Sequence, residues 1–234
     1  MKESLWSKFS EMISTDDKEN KSSLANGILL FFTLVTVFVI PICPIQYLEF
    51  LFTCSVTGIV VFSVLSLKQN HKFMRSFAVF SLMVIWSSYF VDTTFFRLGF
   101  RFINFFFFLY LVFSLIKQIS SISTVTFKVI VDSVTGYLLL GFAFSLIVTA
   151  ISLTIPGAYS TSINGDLETK IIEPIQNNIY YTFMTFTTTG YGDIVPVHPL
   201  SKSLSVLIGV SGQLYVAIII SMLVGKYASD KKAE

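Results

Sequence analysis

Apolar residues run along the chain in six long stretches, at 27–47, 50–67, 74–91, 98–116, 129–155 and 203–227, separated by short breaks except for the long interval 156–202. About 20 such residues cross the hydrocarbon of a bilayer as a helix, so each stretch predicts a transmembrane helix. A seventh run, 175–187, has about half the required length and predicts a re-entrant helix sheltered by protein. Near the start, Leu5, Trp6, Phe9, Met12 and Ile13 recur at helical spacing, with Lys2, Lys8 and Glu11 elsewhere around the surface. That pattern is an amphipathic helix resting on the inner leaflet or on a neighbouring subunit. Residues 14–23 read as a polar linker.

Charge orients the spans. Lys2, Lys8, Lys18 and Lys21 precede the first, Lys68, Lys72 and Arg75 lie between the second and third, Lys117 and Lys128 between the fourth and fifth, and Lys226, Lys231 and Lys232 follow the sixth. Basic residues of short loops stay inside, so both termini are expected in the cytoplasm and 157–200 on the outer side. Arg97, Arg101, Lys170 and Lys202 are the remaining basic residues.

Composition agrees with a polytopic protein of the cell membrane: of 234 residues, 53% are hydrophobic and 13% charged. A formal charge of +2 leaves no footprint for nucleic acid. The first 25 residues carry both signs of charge and no small-residue cleavage pattern, which argues against a removable signal peptide. Cys43 and Cys54 lack the spacing of a zinc site and are expected as free thiols. His71 and His198 have no cysteine or carboxylate cluster beside them, so no enzyme and no resident cofactor are expected. His198 is a candidate for sensitivity to external acid.

Between the last two spans the chain reads Tyr180-Tyr-Thr-Phe-Met-Thr-Phe-Thr-Thr-Thr-Gly-Tyr-Gly-Asp-Ile-Val-Pro196. Glycine adopts left-handed dihedrals without the roughly 1–2 kcal/mol that a β-carbon adds, which lets successive carbonyls point one way at Gly190 and Gly192. Rings of such carbonyls can stand in for the water shell of a cation. Pro174 suits the first turn of the short helix, and Glu173 its positive end.

This segment resembles the pore loop of potassium channels, whose pattern Thr-x-Gly-Tyr-Gly-Asp is met by Thr188, Thr189, Gly190, Tyr191, Gly192 and Asp193. The resemblance extends over about 129–227, including Gly136-Tyr-Leu-Leu-Leu-Gly141 and Gly212-Gln-Leu-Tyr215. It implies an ion filter at Thr188, Thr189, Gly190, Tyr191 and Gly192, with K+ held at the first four. It further implies that Tyr191 braces the strand from outside, that Asp193 anchors the filter from behind, and that four copies assemble as a homotetramer. Thr187 and Tyr181 are expected as further support, Tyr181 taking over part of the hold on Asp193. The sequence departs from the pattern at Thr189, where valine or isoleucine is common, at Met184, where some relatives carry glutamate, and at Tyr180 and Tyr181, which replace tryptophans. A hydroxyl at Thr189 bears on packing and selectivity.

Gating leaves fewer marks. Gly212 is a candidate hinge of the last span, or a point of close helix packing. Four spans ahead of a pore unit suggest a voltage sensor, and Arg97 and Arg101 are its candidate charges. With so few arginines and Asp92 the sole acid nearby, snorkelling of both to the interface is favoured over a working sensor. Asp166, Glu168 and Glu173, against Lys170, would make a modestly negative outer vestibule.

The expected architecture is thus an all-α membrane protein of six transmembrane helices with a re-entrant pore helix and filter loop. Its parts are an N-terminal segment (1–25), a four-helix domain (26–118), a pore domain (119–228) and a tail (229–234). The expected function is passive, potassium-selective conduction. A weakly selective cation channel, a potassium transporter and a regulatory channel subunit are the alternatives. Expected partners are copies of itself and membrane lipid, any cytoplasmic regulator being a separate protein.

Overall fold

The computed structural model describes residues 24–67, 72–90, 94–122, 125–163, 166–168 and 175–230. The N-terminal amphipathic stretch, His71, Asp92, Lys170, Glu173, Pro174, Lys231 and Lys232 lie outside the described residues.

Helix α1 covers Leu24–Ile42. It widens into a π turn at Val35–Val39, where the Ile40 amide reaches Val35 O, and tightens into a 3-10 turn at Ile40–Ile42. Pro41 accounts for both changes, because it has no N–H to donate and its ring crowds the preceding turn. Pro44 then leads into α2, Ile45–Ser66. Helices α3 (Lys72–Phe90), α4 (Thr94–Ser121) and α5 (Phe127–Thr154) follow, then the short α6 (Ile175–Phe186) and the long α7 (Pro199–Asp230).

Five of the described helices are long and apolar enough to cross a membrane: α1, α2, α4, α5 and α7. The third expected span forms as α3, 19 residues long.

Helix α5 organises the packing. It is buried over 78% of its membrane window, against 22% for α7. Its broadest contact is with α4. A relay of rings joins the helices through Phe52–Phe142, Phe142–Phe108, Phe108–Phe107 and Phe107–Phe77, with centroids 5.9, 5.2, 5.5 and 5.4 Å apart. The last three pairs are edge to face, the orientation the ring quadrupole favours. Hydroxyls inside the spans return to the backbone: Thr33 donates to Leu29 O, Ser133 to Val129 O and Thr149 to Ser145 O, which keeps these three from being stranded in an apolar setting.

The membrane-crossing elements are all helical, but a small sheet outside them adds to the expected fold. Strands β1 (Tyr159–Ile163), β2 (Asp166–Glu168) and β3 (Ile194–Pro196) pair antiparallel in the order β2-β1-β3. Thr161 faces both Glu168 and Ile194 in the register. Gly157, at φ +76°, turns the chain out of α5 toward β1. Ala158 O then accepts the Val197 amide and the Ser201 hydroxyl, which ties β1 to the start of α7.

Candidate functional site

The short helix α6 is held on every side before its loop begins. Gln176 donates to Cys43 O at the α1–α2 corner, 3.2 Å away. Ser152 of α5 donates to Asn178 Oδ1 at 3.2 Å. Phe186, fully buried at the end of α6, packs on Tyr137 and Phe144 of α5.

Two glycines let α7 come close to α6 and to α5. A β-carbon on Gly212 would stand 2.1 Å from Phe186 O, and one on Gly136 would stand 2.3 Å from the Tyr215 hydroxyl. Tyr215 uses that gap to donate to Ser133 O at 2.9 Å. Close packing, one of the two uses expected of Gly212, is therefore present here.

The loop folds back onto the end of α6. The amides of Thr187, Thr188 and Gly190 donate to the carbonyls of Phe183, Thr185 and Met184 at 2.9, 3.0 and 3.0 Å. Those acceptors are among the last-turn carbonyls that a helix leaves without partners. Beyond this joint, residues at every second position are left-handed: Thr188 at φ 61°, Gly190 at φ 55° and Gly192 at φ 79°. The two glycines meet the expectation from their type. Thr188 does not, since only its place in the alternation, and not its β-branched side chain, calls for that conformation.

Hydroxyls brace the strand. Thr187 donates to Phe183 O at 2.7 Å, which uses its only proton, so the 2.9 Å contact between Thr187 Oγ1 and Thr189 Oγ1 has Thr189 as donor. The Thr188 hydroxyl donates to Thr187 O at 2.6 Å. Asp193 accepts the Ile194 amide at Oδ1, 3.0 Å, and the Tyr180 hydroxyl at Oδ2, 2.7 Å.

The last contact corrects the expectation for Tyr181. That side chain is buried against the ring of Tyr159, and its hydroxyl pairs with Ser205 of α7. One residue along a helix is a turn of about 100°. Tyr181 therefore points into the protein while Tyr180 reaches Asp193. Tyr159 itself lies in β1, and burial, followed by the nearby Tyr181, raises its phenol above the ordinary range.

Thr187–Asp193 are exposed on the single chain, and Tyr191 is 72% exposed instead of packed against helices of its own chain. An apolar face of α7 is open alongside, with Val206, Leu207, Val210 and Leu214 among its residues. His198 precedes α7, and its Nδ1 accepts the Leu200 amide at 3.2 Å.

Arg101 is half-buried on α4, one turn before Asn104, which accepts a hydrogen bond from Ser81 of α3 at 2.6 Å. Arg97 lies on the same helix, but its side chain is outside the described residues, as are those of Asp166 and Glu168 in β2. Cys43 and Cys54 are free. Among the described residues no three of His, Cys, Asp and Glu gather as metal ligands.

Sequence reasoning missed Asp132. It is 1% exposed in α5, accepts from Asn26 of α1 at Oδ1 and from Gln118 of α4 at Oδ2, and the Asn26 carbonyl oxygen in turn accepts from Ser66 of α2. A carboxylate at the start of an apolar span was the available signal, because such groups face the protein interior and find partners there.

The family model described as "Ion channel" matches residues 137–228, from the middle of α5 through the loop to the end of α7. No curated protein and no solved structure matches the chain.

Proposed function

We propose that this chain is a subunit of a potassium-selective channel, in which the backbones of Thr188–Gly192 from four copies surround one axis. The match of 137–228 indicates an ion channel, and the helices suggest a multi-pass membrane protein. Potassium selectivity is carried by a single observation, the left-handed backbone at alternate positions 188, 190 and 192. In a strand that alternates in this way successive carbonyls turn toward the same side, the arrangement that substitutes for an ion's hydration shell. Thr188, Thr189, Gly190 and Tyr191 would hold the ions.

One loop supplies one quarter of each ring. Exposure of Tyr191 and of the apolar α7 face supports closure by further copies around a cyclic axis. In this reading 119–228 is the pore domain, 26–118 a four-helix domain whose α3 completes six spans, and both termini are cytoplasmic. K+ is the cargo, and no other cofactor is invoked.

Reversal potentials of the purified chain in liposomes test the proposal. Under opposed potassium and sodium gradients the potential should lie close to the potassium equilibrium value. A potential near the midpoint would favour the alternative of a weakly selective cation pore, for which the Thr189 hydroxyl behind the loop is the specific motive.

A further inference from the structure

Three consecutive residues at the end of α4 grip two different helices. Gln118 Nε2 donates to Asp132 Oδ2 of α5 at 3.0 Å. The carbonyls of Ile119 and Ser120 both accept from Lys226 Nζ of α7, the second at 3.3 Å. Through Asp132 the same joint includes Asn26 of α1, and through Asn26 it includes Ser66 of α2. Five helices thus meet in one polar knot at the end of the bundle remote from the filter loop.

The chemistry of each half is complementary. Carbonyls in the last turn of a helix lack intrahelical donors and carry the negative end of its dipole, so an ammonium suits them. Lys226 stands at the foot of a stripe formed by Tyr215, Ile219, Met222 and Leu223, which pack into the core while much of α7 lies open. The post it grips is firm: Leu111, Leu115 and Ile119 of α4 are fully buried, and Gln118 ties α4 to α5.

We infer that Lys226 is a positioning residue for α7, fastening the far end of that helix to the end of α4 and thereby fixing the width of the pore's inner mouth. This rests on the reading of α7 as the pore-lining helix. For the end of α7 to swing away from α5, Nζ must leave both carbonyls, since the post cannot follow. Methionine at 226 keeps an unbranched apolar stem and removes the cation, while arginine restores a cation with several donors.

Single-channel recording of the full chain in liposomes, with the reversal potential measured on the same channels, tests this. K226M should change the ratio of open to closed time by about fivefold, the scale of a cation at a partly buried helix terminus, and leave the reversal potential unaltered. K226R should stay within about twofold of the parent. K226Q, a neutral donor, serves where K226M fails to assemble, and should depart from the parent in the same direction. An open-to-closed ratio in the neutral variants equal to the parent's overturns the inference, and so does a K226R channel that behaves like K226M. A parent chain that passes no current sinks the channel reading and this inference with it; that failure appears in the parent, not in the variants.

Discussion

Gly212→Ala is the perturbation whose size can be worked out most directly. The added carbon would sit 2.1 Å from Phe186 O, about 1.2 Å inside the ~3.3 Å at which a carbon and a carbonyl oxygen meet comfortably. Phe186 is the last residue of α6 and immediately precedes the loop, so its carbonyl cannot retreat without carrying Thr187 along. The alternative is for α7 to withdraw by about 1 Å. That would stretch the 2.9 Å bond from Tyr215 to Ser133 O, one turn further along, beyond useful length. Overpacking costs about 1–3 kcal/mol and the lost bond about 1, against roughly 1 gained by replacing a helical glycine. The net loss is on the order of 1–3 kcal/mol per subunit. Gly209 supplies the control, because its added carbon would lie at an ordinary 3.7 Å from Thr185 O and gains helix propensity without a clash. Thermal melting of the purified assembly and its potassium–sodium reversal potential should both deteriorate in Gly212→Ala and hold in Gly209→Ala. Equal behaviour of the two variants would refute the close-approach argument.

Three further outcomes follow from contacts around the loop and the polar knot. Tyr180→Phe removes the donor to Asp193 Oδ2 and should accelerate decay of current during sustained opening, whereas Tyr181→Phe should spare that decay and lower the melting temperature through its lost contact with Ser205; the reverse pattern would count against the assignment. Thr189→Val deletes a donor to Thr187 while leaving the bond from Thr187 to Phe183 O, and it should raise the preference for potassium over sodium, read as a shift in reversal potential toward the potassium value. Asp132→Leu removes the carboxylate that accepts from Asn26 and Gln118 and should destabilise the fold by about 3 kcal/mol, measured by thermal melting, with the reversal potential unchanged in channels that assemble.

The parts of the fold that the sequence announced are those where one physical demand leaves a single answer. A bilayer requires long apolar runs, and α1, α2, α4, α5 and α7 satisfy it on length and composition. A left-handed backbone favours glycine, so Gly190 and Gly192 declared themselves. Thr188 is left-handed for a reason that lies in its neighbours, so its residue type carried no hint. The choice between Tyr180 and Tyr181 depended on the rotation of α6 about its own axis. That rotation is set by Asn178, Phe183 and Phe186 packing against α5, contacts between segments that no local pattern encodes. Gly212 was open to two uses until the position of Phe186 O supplied one. The sheet escaped notice because its strands are short and lie between stronger helical signals. Asp132 was missed and Lys226 was counted only as a charge, because their partners come from helices remote in the chain.

The backward fold of the loop also bears on the sign of what can enter. The amides of 187, 188 and 190 are committed to the end of α6, so three donors that could have replaced a halide's lost water are already taken. In the proposed channel the fastening of the strand therefore works against anions before any discrimination among cations by size begins.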